Sequence, residues 1–301
     1  MSVDFLDLLP EHRTILEQAL ACYVPDDRVA GVMLYGSLAI GQGDEFSDID
    51  LNIVSVPKHR TELLTQAPET MRTFGDTLFV FRADHLSPTQ IVAHYANHVK
   101  LDLDFVLSDE LGVYAERRRH RIFKDSTGEL AKVLEQSAVL SDHYDVTPDH
   151  LLDLNQRFWT WCYSTAAKAT RVELWEAHAG LEFIRGWTLP RLTAWLDGLP
   201  PMGYRRIEQR VSPQWLAGWD RTVAAPQLEA ILNGLASLIA LFLRLRQPLA
   251  DRLSLAFDRA AETAMCRRLM ELGVPLSMES IERLCLKLFT PTPTSMPWST
   301  A

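Results

Sequence analysis

Residues 36–51 read Gly36-Ser37-Leu38-Ala39-Ile40-Gly41-Gln42-Gly43-Asp44-Glu45-Phe46-Ser47-Asp48-Ile49-Asp50-Leu51. The run before them, Val29-Ala30-Gly31-Val32-Met33-Leu34-Tyr35, is short, apolar and partly β-branched, the composition of a buried strand. The run after them, Asp48 to Val54, alternates polar and apolar residues and predicts a second strand with one polar face. Successive side chains of a strand point to opposite faces, so Asp48 and Asp50 share a face and reach common divalent cations. Paired carboxylates suit magnesium, a hard ion that takes oxygen ligands. Gly36 and Ser37 fall where the first strand ends and a helix begins. Glycine there lets an anion approach the backbone, and the first amides of a helix attract it.

Further out, Phe5 to Cys22 repeats apolar residues at helical spacing up to the break at Pro25-Asp26-Asp27. Thr77–Phe81 and Val99–Val106 read as two more strands, with helices expected around 59–72 and 86–97. The Val99–Val106 strand carries Asp102 and, two residues on, Asp104 on the same face. If it lies beside the Asp48–Leu51 strand, Asp102 completes a carboxylate triad able to hold two ions. From Pro148 the pattern becomes helical throughout: Leu151–Trp195, Gln214–Leu245, Asp251–Leu272 and Ser277–Leu288, punctuated by Pro200-Pro201-Met202-Gly203 and by Gln247-Pro248. The expected fold is α+β, a small mixed-sheet domain over 1–145 followed by an all-helical bundle over 146–290. The polar, Pro-rich tail, 291–301, is expected to be poorly ordered.

Composition narrows the function. The net charge of −9 is concentrated in residues 1–150, with 13 Lys/Arg against 25 Asp/Glu, whereas 151–301 carry 17 against 14. An acidic chain is a poor match for the basic stripe that grips long nucleic acid. Cys22, Cys162, Cys266 and Cys285 show no metal-ligand or CxxC spacing and read as reduced core thiols. With no secretion signal or membrane-spanning run, a cytoplasmic location is expected. Neither GxxxxGK[ST] nor GxGxxG is present, which removes the P-loop and dinucleotide readings.

Gly36-Ser37, a ten-residue gap, Asp48-Ile49-Asp50-Leu51 and a later Asp102 in an apolar strand together resemble the nucleotidyltransferases of the DNA polymerase β superfamily, particularly the antibiotic-modifying kind. The motifs cover 36–51 and 99–106, and the order of elements extends the match over about 1–145. The resemblance implies Mg²⁺ ligation by Asp48 and Asp50, triphosphate binding at Gly36-Ser37, and a third carboxylate at Asp102. Leu103-Asp104-Phe105-Val106, the apolar tail that follows, favours Asp102 over Asp104. Ser47 either contacts the nucleotide or caps the turn before the strand. Asp44 and Glu45 read as solvated loop charges, and Arg117–Arg121 as a solvated helix face or a phosphate clamp. The helical half resembles, more weakly, the substrate domain of aminoglycoside and lincosamide nucleotidyltransferases through Arg171-Val172-Glu173 and Gly203–Glu208. In such enzymes an acidic residue binds the acceptor or serves as general base, which makes Glu173 the candidate, with Glu176 on the same face. The aromatics from Phe158 to Trp187 read as core.

The expected activity is transfer of a nucleoside monophosphate, AMP from ATP, to a hydroxyl of a small molecule such as an aminoglycoside-like antibiotic, with two Mg²⁺ ions and pyrophosphate as leaving group. The alternatives are nucleotidylylation of a protein side chain or of an RNA end, and an inactive nucleotide-binding regulator. The apolar run Ala230–Leu245 fits a buried bundle helix or a homodimer face.

Overall fold

The computed structural model describes residues 9–277, and these fall into two compact units, one running to Asp142 and one starting at His143. The first unit is built on a six-stranded mixed sheet. Its strands are β1 (Val29–Tyr35), β2 (Ile49–Ser55), β3 (Thr77–Arg82), β4 (Gln90–Tyr95), β5 (Lys100–Val106) and β6 (Arg121–Asp125). Their order across the sheet is β3-β4-β5-β2-β1-β6. Every neighbouring pair is antiparallel except β2 and β5, which run parallel.

Period-two alternation divides the two faces. On one face Leu34, Leu51, Ile53, Ile91, Ala93, Leu101, Leu103 and Phe105 form the main core with α1 (Pro10–Tyr23) and α3 (Arg60–Arg72). α1 opens on Pro10 and buries Ile15, Leu16, Ala19, Leu20 and Tyr23, an apolar stripe of helical period. The opposite face is apolar only at one end. There Met33, Val54 and Val106 are covered by Leu130 and Val133 of α4 (Glu129–Ala138). Gly31 permits that contact, since a Cβ in its place would lie 2.6 Å from the Leu130 side chain. The other end of this face carries Tyr35, Asp50, Asn52, Asp102 and Asp104.

Two expectations for this unit are corrected. Residues 86–97 contain strand β4, not a helix; Ile91, Val92 and Ala93 are buried between strands on both sides, and β-branched residues favour that setting. The basic run enters a short 3₁₀ turn, Ala115–Arg119, and then β6, an extra sheet edge where the sequence suggested a helix face.

The second unit is helical among the described residues: α5 (Pro148–Thr170), α6 (Leu174–Leu196), the single turns α7 (Ile207–Arg210) and α8 (Pro213–Leu216), α9 (Leu228–Arg252) and α10 (Arg259–Glu271). The expected single helix over 151–195 is broken at Val172, whose φ of 63° lies in the left-handed region. The expected helix from Gln214 starts only at Leu228. Pro248 does not end α9, which runs on to Arg252, so α10 is shorter than the expected 251–272 helix. Leu245, Leu249 and Ala250 are buried on either side of the proline, and that burial offsets the roughly 3 kcal/mol an interior proline costs. α9 is long and apolar enough to cross a membrane by composition, but Ile231, Leu235, Leu238, Ile239 and Phe242 are spent inside this unit's core. Phe158 and Phe242 stack at its centre, with ring centroids 3.6 Å apart. Beside them the buried Arg246 pairs with Glu262 at 2.5 Å and also meets Asn155. Cys162 and Cys266 are buried thiols and Cys22 is half-buried, whereas Cys285, the expected 277–288 helix and the tail lie outside the described residues.

Candidate active site

The polar end of the first unit's sheet is assembled by the parallel β2–β5 pair. Asp50 stands opposite Asp102 in register, and Asn52 opposite Asp104. Asp48 immediately precedes β2, two residues from Asp50, so all three carboxylates arise at the same end of adjacent strands.

Register and partners separate Asp102 from Asp104. Asp104 Oδ1 accepts from the Thr89 hydroxyl at 2.6 Å, and the residue opposite Asp104 in register is Asn52, not a carboxylate. Asp102 is 5% exposed. Its Oδ2 accepts from Gln90 Nε2 at 2.9 Å and lies 3.4 Å from Lys100 Nζ, while its Oδ1 is buried without a hydrogen-bond partner. Burial pushes the Asp102 carboxyl up, Lys100 pulls it back and Asp48 raises it further, leaving it above the usual carboxylate range. An unpartnered buried oxygen is costly. Such a site gains more from a cation than a solvated carboxylate does.

Lys100 also reaches Asp48 Oδ2 at 2.8 Å, so a single ammonium bridges the two carboxylates. Neither Lys100 nor Gln90 stood out in the sequence. Lys100 lies two residues before Asp102 and shares its face by strand alternation; Gln90 opens β4, in a segment whose sequence predicts a helix. Among the described residues no three His, Cys, Asp or Glu side chains converge on one point. The residues nevertheless fit a hard divalent cation: the donors are all carboxylate oxygens, Asp102 Oδ1 lacks a partner, and Asp48 and Asp102 already share one cationic group.

The Gly36-Ser37 turn is placed against these carboxylates. β1 ends at Tyr35 and one helical turn, α2 (Gly36–Ala39), follows. Gly36 has φ +74°, and a Cβ there would sit 2.2 Å from Asp50 Oδ2. Both facts require glycine. Ser37 is buried in the turn. Ser47 is tied locally: its hydroxyl donates to Asp44 Oδ1 at 2.9 Å and accepts from the Asp44 amide at 2.9 Å. The Ser47 carbonyl, in turn, accepts from the buried His12 Nε2 of α1 at 2.8 Å. Asp44, expected as a solvated charge, therefore shapes the loop that delivers Asp48, and Ser47 caps that loop.

Beside Tyr35 lies a second polar cluster. The His120 ring is 5.9 Å from Tyr35 and 6.0 Å from Tyr114, and the Arg117 guanidinium stacks 4.5 Å from the Tyr114 ring. Arg117 is buried with Nε and Nη1 unpartnered, and His120 Nδ1 is likewise buried without a partner. Burial, then the Arg117 charge, lowers the His120 pKa from 6.5 to about 4. Arg118 by contrast pairs with Asp142, and Arg121 Nε donates to the Ala39 carbonyl at 2.9 Å, fastening β6 to the end of the turn.

In the second unit, Glu173 is the residue just before α6. Both of its carboxylate oxygens accept from Arg171, each at 2.8 Å, and that pairing holds its carboxyl below the ordinary glutamate range. Glu176 pairs with Lys168 at 2.6 Å. The aromatic stretch divides: Phe158, Trp159 and Trp195 are core, but Trp161, Phe183 and Trp187 form a ladder whose last two rings are substantially exposed, and Arg191 lies 3.7 Å over Trp187.

Comparison with known proteins bears on this arrangement. One solved structure similar to the chain is an aminoglycoside 6-adenyltransferase from Bacillus subtilis, 15% identical, with 87% of this chain and 97% of that one covered at a TM-score of 0.44. No curated protein matches the chain. The profile of the streptomycin adenylyltransferase family, however, matches residues 11–271, a span holding the sheet, the Gly36-Ser37 turn, the three carboxylates and the described helices up to Glu271. The chain belongs to the streptomycin adenylyltransferase family.

Proposed function

We propose that this protein transfers AMP from ATP to a hydroxyl group of an aminoglycoside-like antibiotic and releases pyrophosphate. Family membership supports nucleotidyl transfer to an antibiotic. The observation that carries the site assignment is the in-register pairing of Asp50 with Asp102, whose Oδ1 is buried and unpartnered, beside a turn that only glycine can form.

In this reading Asp48, Asp50 and Asp102 would hold two Mg²⁺ ions, which would supply Lewis-acid charge stabilisation for phosphoryl displacement. The chain's own residues position the reactants. The parallel β2–β5 ladder fixes Asp50 and Asp102 on rigid backbone, as a displacement that depends on alignment requires. Gly36 leaves the backbone open for phosphate oxygens, and His12 with Asp44 and Ser47 holds the loop that presents Asp48.

Glu173 enters the proposal as an acceptor-binding charge instead of a base. Its pairing with Arg171 weakens it as a proton acceptor, and an ammonium-bearing acceptor would share its carboxylate with that guanidinium. Glu173→Gln is accordingly expected to raise KM for the acceptor while leaving kcat within about threefold.

The deciding assay measures pyrophosphate release from ATP, GTP, CTP and UTP with Mg²⁺ over a panel of aminoglycosides and lincosamides. Release with ATP and at least one aminoglycoside, abolished in Asp48→Asn/Asp50→Asn, is the expected result. Silence over the whole panel with Mg²⁺-dependent nucleotide binding intact would reject these acceptors and point to a protein side chain or another metabolite.

A further inference from the structure

Lys100 occupies a place of its own on the polar face of the sheet. Its ammonium contacts Asp48 Oδ2 at 2.8 Å and lies 3.4 Å from Asp102 Oδ2, joining carboxylates from two segments about 50 residues apart in sequence. Its side chain is about one-third exposed, whereas that of Asp102 is nearly covered. We propose that Lys100 is an intrinsic counter-cation of the carboxylate site: it neutralises Asp48 and Asp102 while no metal is bound and must withdraw before a divalent ion can use both. The inference rests on the reading of Asp48 and Asp102 as metal ligands, and adds a competitor for them.

Three observations carry it. First, Asp102 is almost fully buried and so poorly hydrated, and Asp48 shares the same ammonium, so a cation between the two offsets both the desolvation of Asp102 and the repulsion within the pair. Second, the lysine stem is flexible and its head borders solvent, so the ammonium can leave without disturbing the β4–β5–β2 ladder that fixes Asp102. Third, a lysine head and a dication cannot contact the same two oxygens together, because both would lie within contact distance of each other and like charges repel there. Lysine occupancy therefore lowers apparent metal affinity by the fraction of time the pair is open. A site closed roughly 90% of the time binds about tenfold more weakly than its intrinsic affinity.

The test is Mn²⁺ binding to the full-length protein without nucleotide, read from the electron paramagnetic resonance signal of the free ion. Lys100→Met is expected to bind Mn²⁺ about tenfold more tightly than wild type, and Lys100→Arg, which keeps the cation, within about twofold of it. Lys100→Gln serves as the neutral comparison should the methionine variant not melt cooperatively. Neutral variants that bind Mn²⁺ no better than wild type, while folded by circular dichroism, overturn the proposal. Asp48→Asn/Asp50→Asn separates the two ideas. Loss of Mn²⁺ binding in that variant, with Lys100→Met equal to wild type, removes the counter-cation and leaves the metal site standing. Unchanged Mn²⁺ binding in it defeats the ligand assignment and the counter-cation with it.

Discussion

Asp102 is held where a carboxylate is least comfortable, with one oxygen buried and unpaired and its proton affinity raised. A folded state that favours the protonated acid loses stability when the group ionises, so holding a carboxylate here costs the fold some stability. Asp102→Asn is expected to abolish transfer, by at least 100-fold in kcat/KM, while leaving the Tm in chelator unchanged or a few degrees higher. A marked fall in Tm would show that the carboxylate is structural. Gly36→Ala is expected to lose activity and about 1–3 kcal/mol of stability, because the new methyl strikes Asp50 and the backbone is left-handed; urea denaturation checks the second figure. His120 supplies a pH dependence. Its folded pKa of about 4 lies below its ordinary 6.5, so the unfolded chain takes up its proton first as pH falls. The stabilising preference for neutral His120 is complete above 6.5 and disappears as pH falls toward 4, removing up to about 3 kcal/mol. Between pH 7.5 and 4.5 the Tm of His120→Gln should therefore fall less steeply than that of wild type, and equal slopes would refute the assignment. Asp48, Asp50, Asp102 and Gly36 were legible because their spacing maps directly onto strand alternation and a turn. His12 and Gln90 were not, since their partners are 35 and 12 residues away and depend on tertiary placement.

At the scale of elements, β1 and β3 are legible as short apolar runs and β2 and β5 by alternation, whereas β4 and β6 are not. β2 and β5 announce themselves by polar residues at every second position, whereas Ile91-Val92-Ala93 of β4 is buried on both faces and offers no period to distinguish strand from helix. β6 was missed for a different reason: its Arg121 and Lys124 look solvent-facing, yet they fasten to the Ala39 and Asp26 carbonyls. In the helical unit, Pro248 misled because local propensity yields to the burial around it, and the α5–α6 break was invisible because no glycine marks it. That break places a β-branched residue, Val172, at φ 63° with its side chain 69% exposed. Such strain costs of order 1 kcal/mol and little packing is lost on truncation. Val172→Gly is therefore expected to raise Tm by a few degrees, measured by thermal circular dichroism. No change, or a decrease, would mean that the side chain contributes packing this reading omits.

For the molecule as a whole, two units each carry a core of their own, and the chain around residue 140 is exposed on its way from one to the other. Limited proteolysis should cut first between Val139 and Asp145, giving two fragments that each resist further digestion; early cuts inside α9 or β2 would argue against two separate cores. The parallel pairing of β2 with β5 has a consequence for the order in which the protein becomes itself. Antiparallel neighbours such as β1 and β2 can join as soon as both exist, but β5 must cross over through α3, β3 and β4 before it can lie beside β2. Asp48 and Asp50 are therefore synthesised, and their strand paired with β1, well before Asp102 arrives. If Asp48, Asp50 and Asp102 bind metal as proposed, a growing chain would present an incomplete set of ligands until that long loop closes, and ion capture would wait on completion of the sheet.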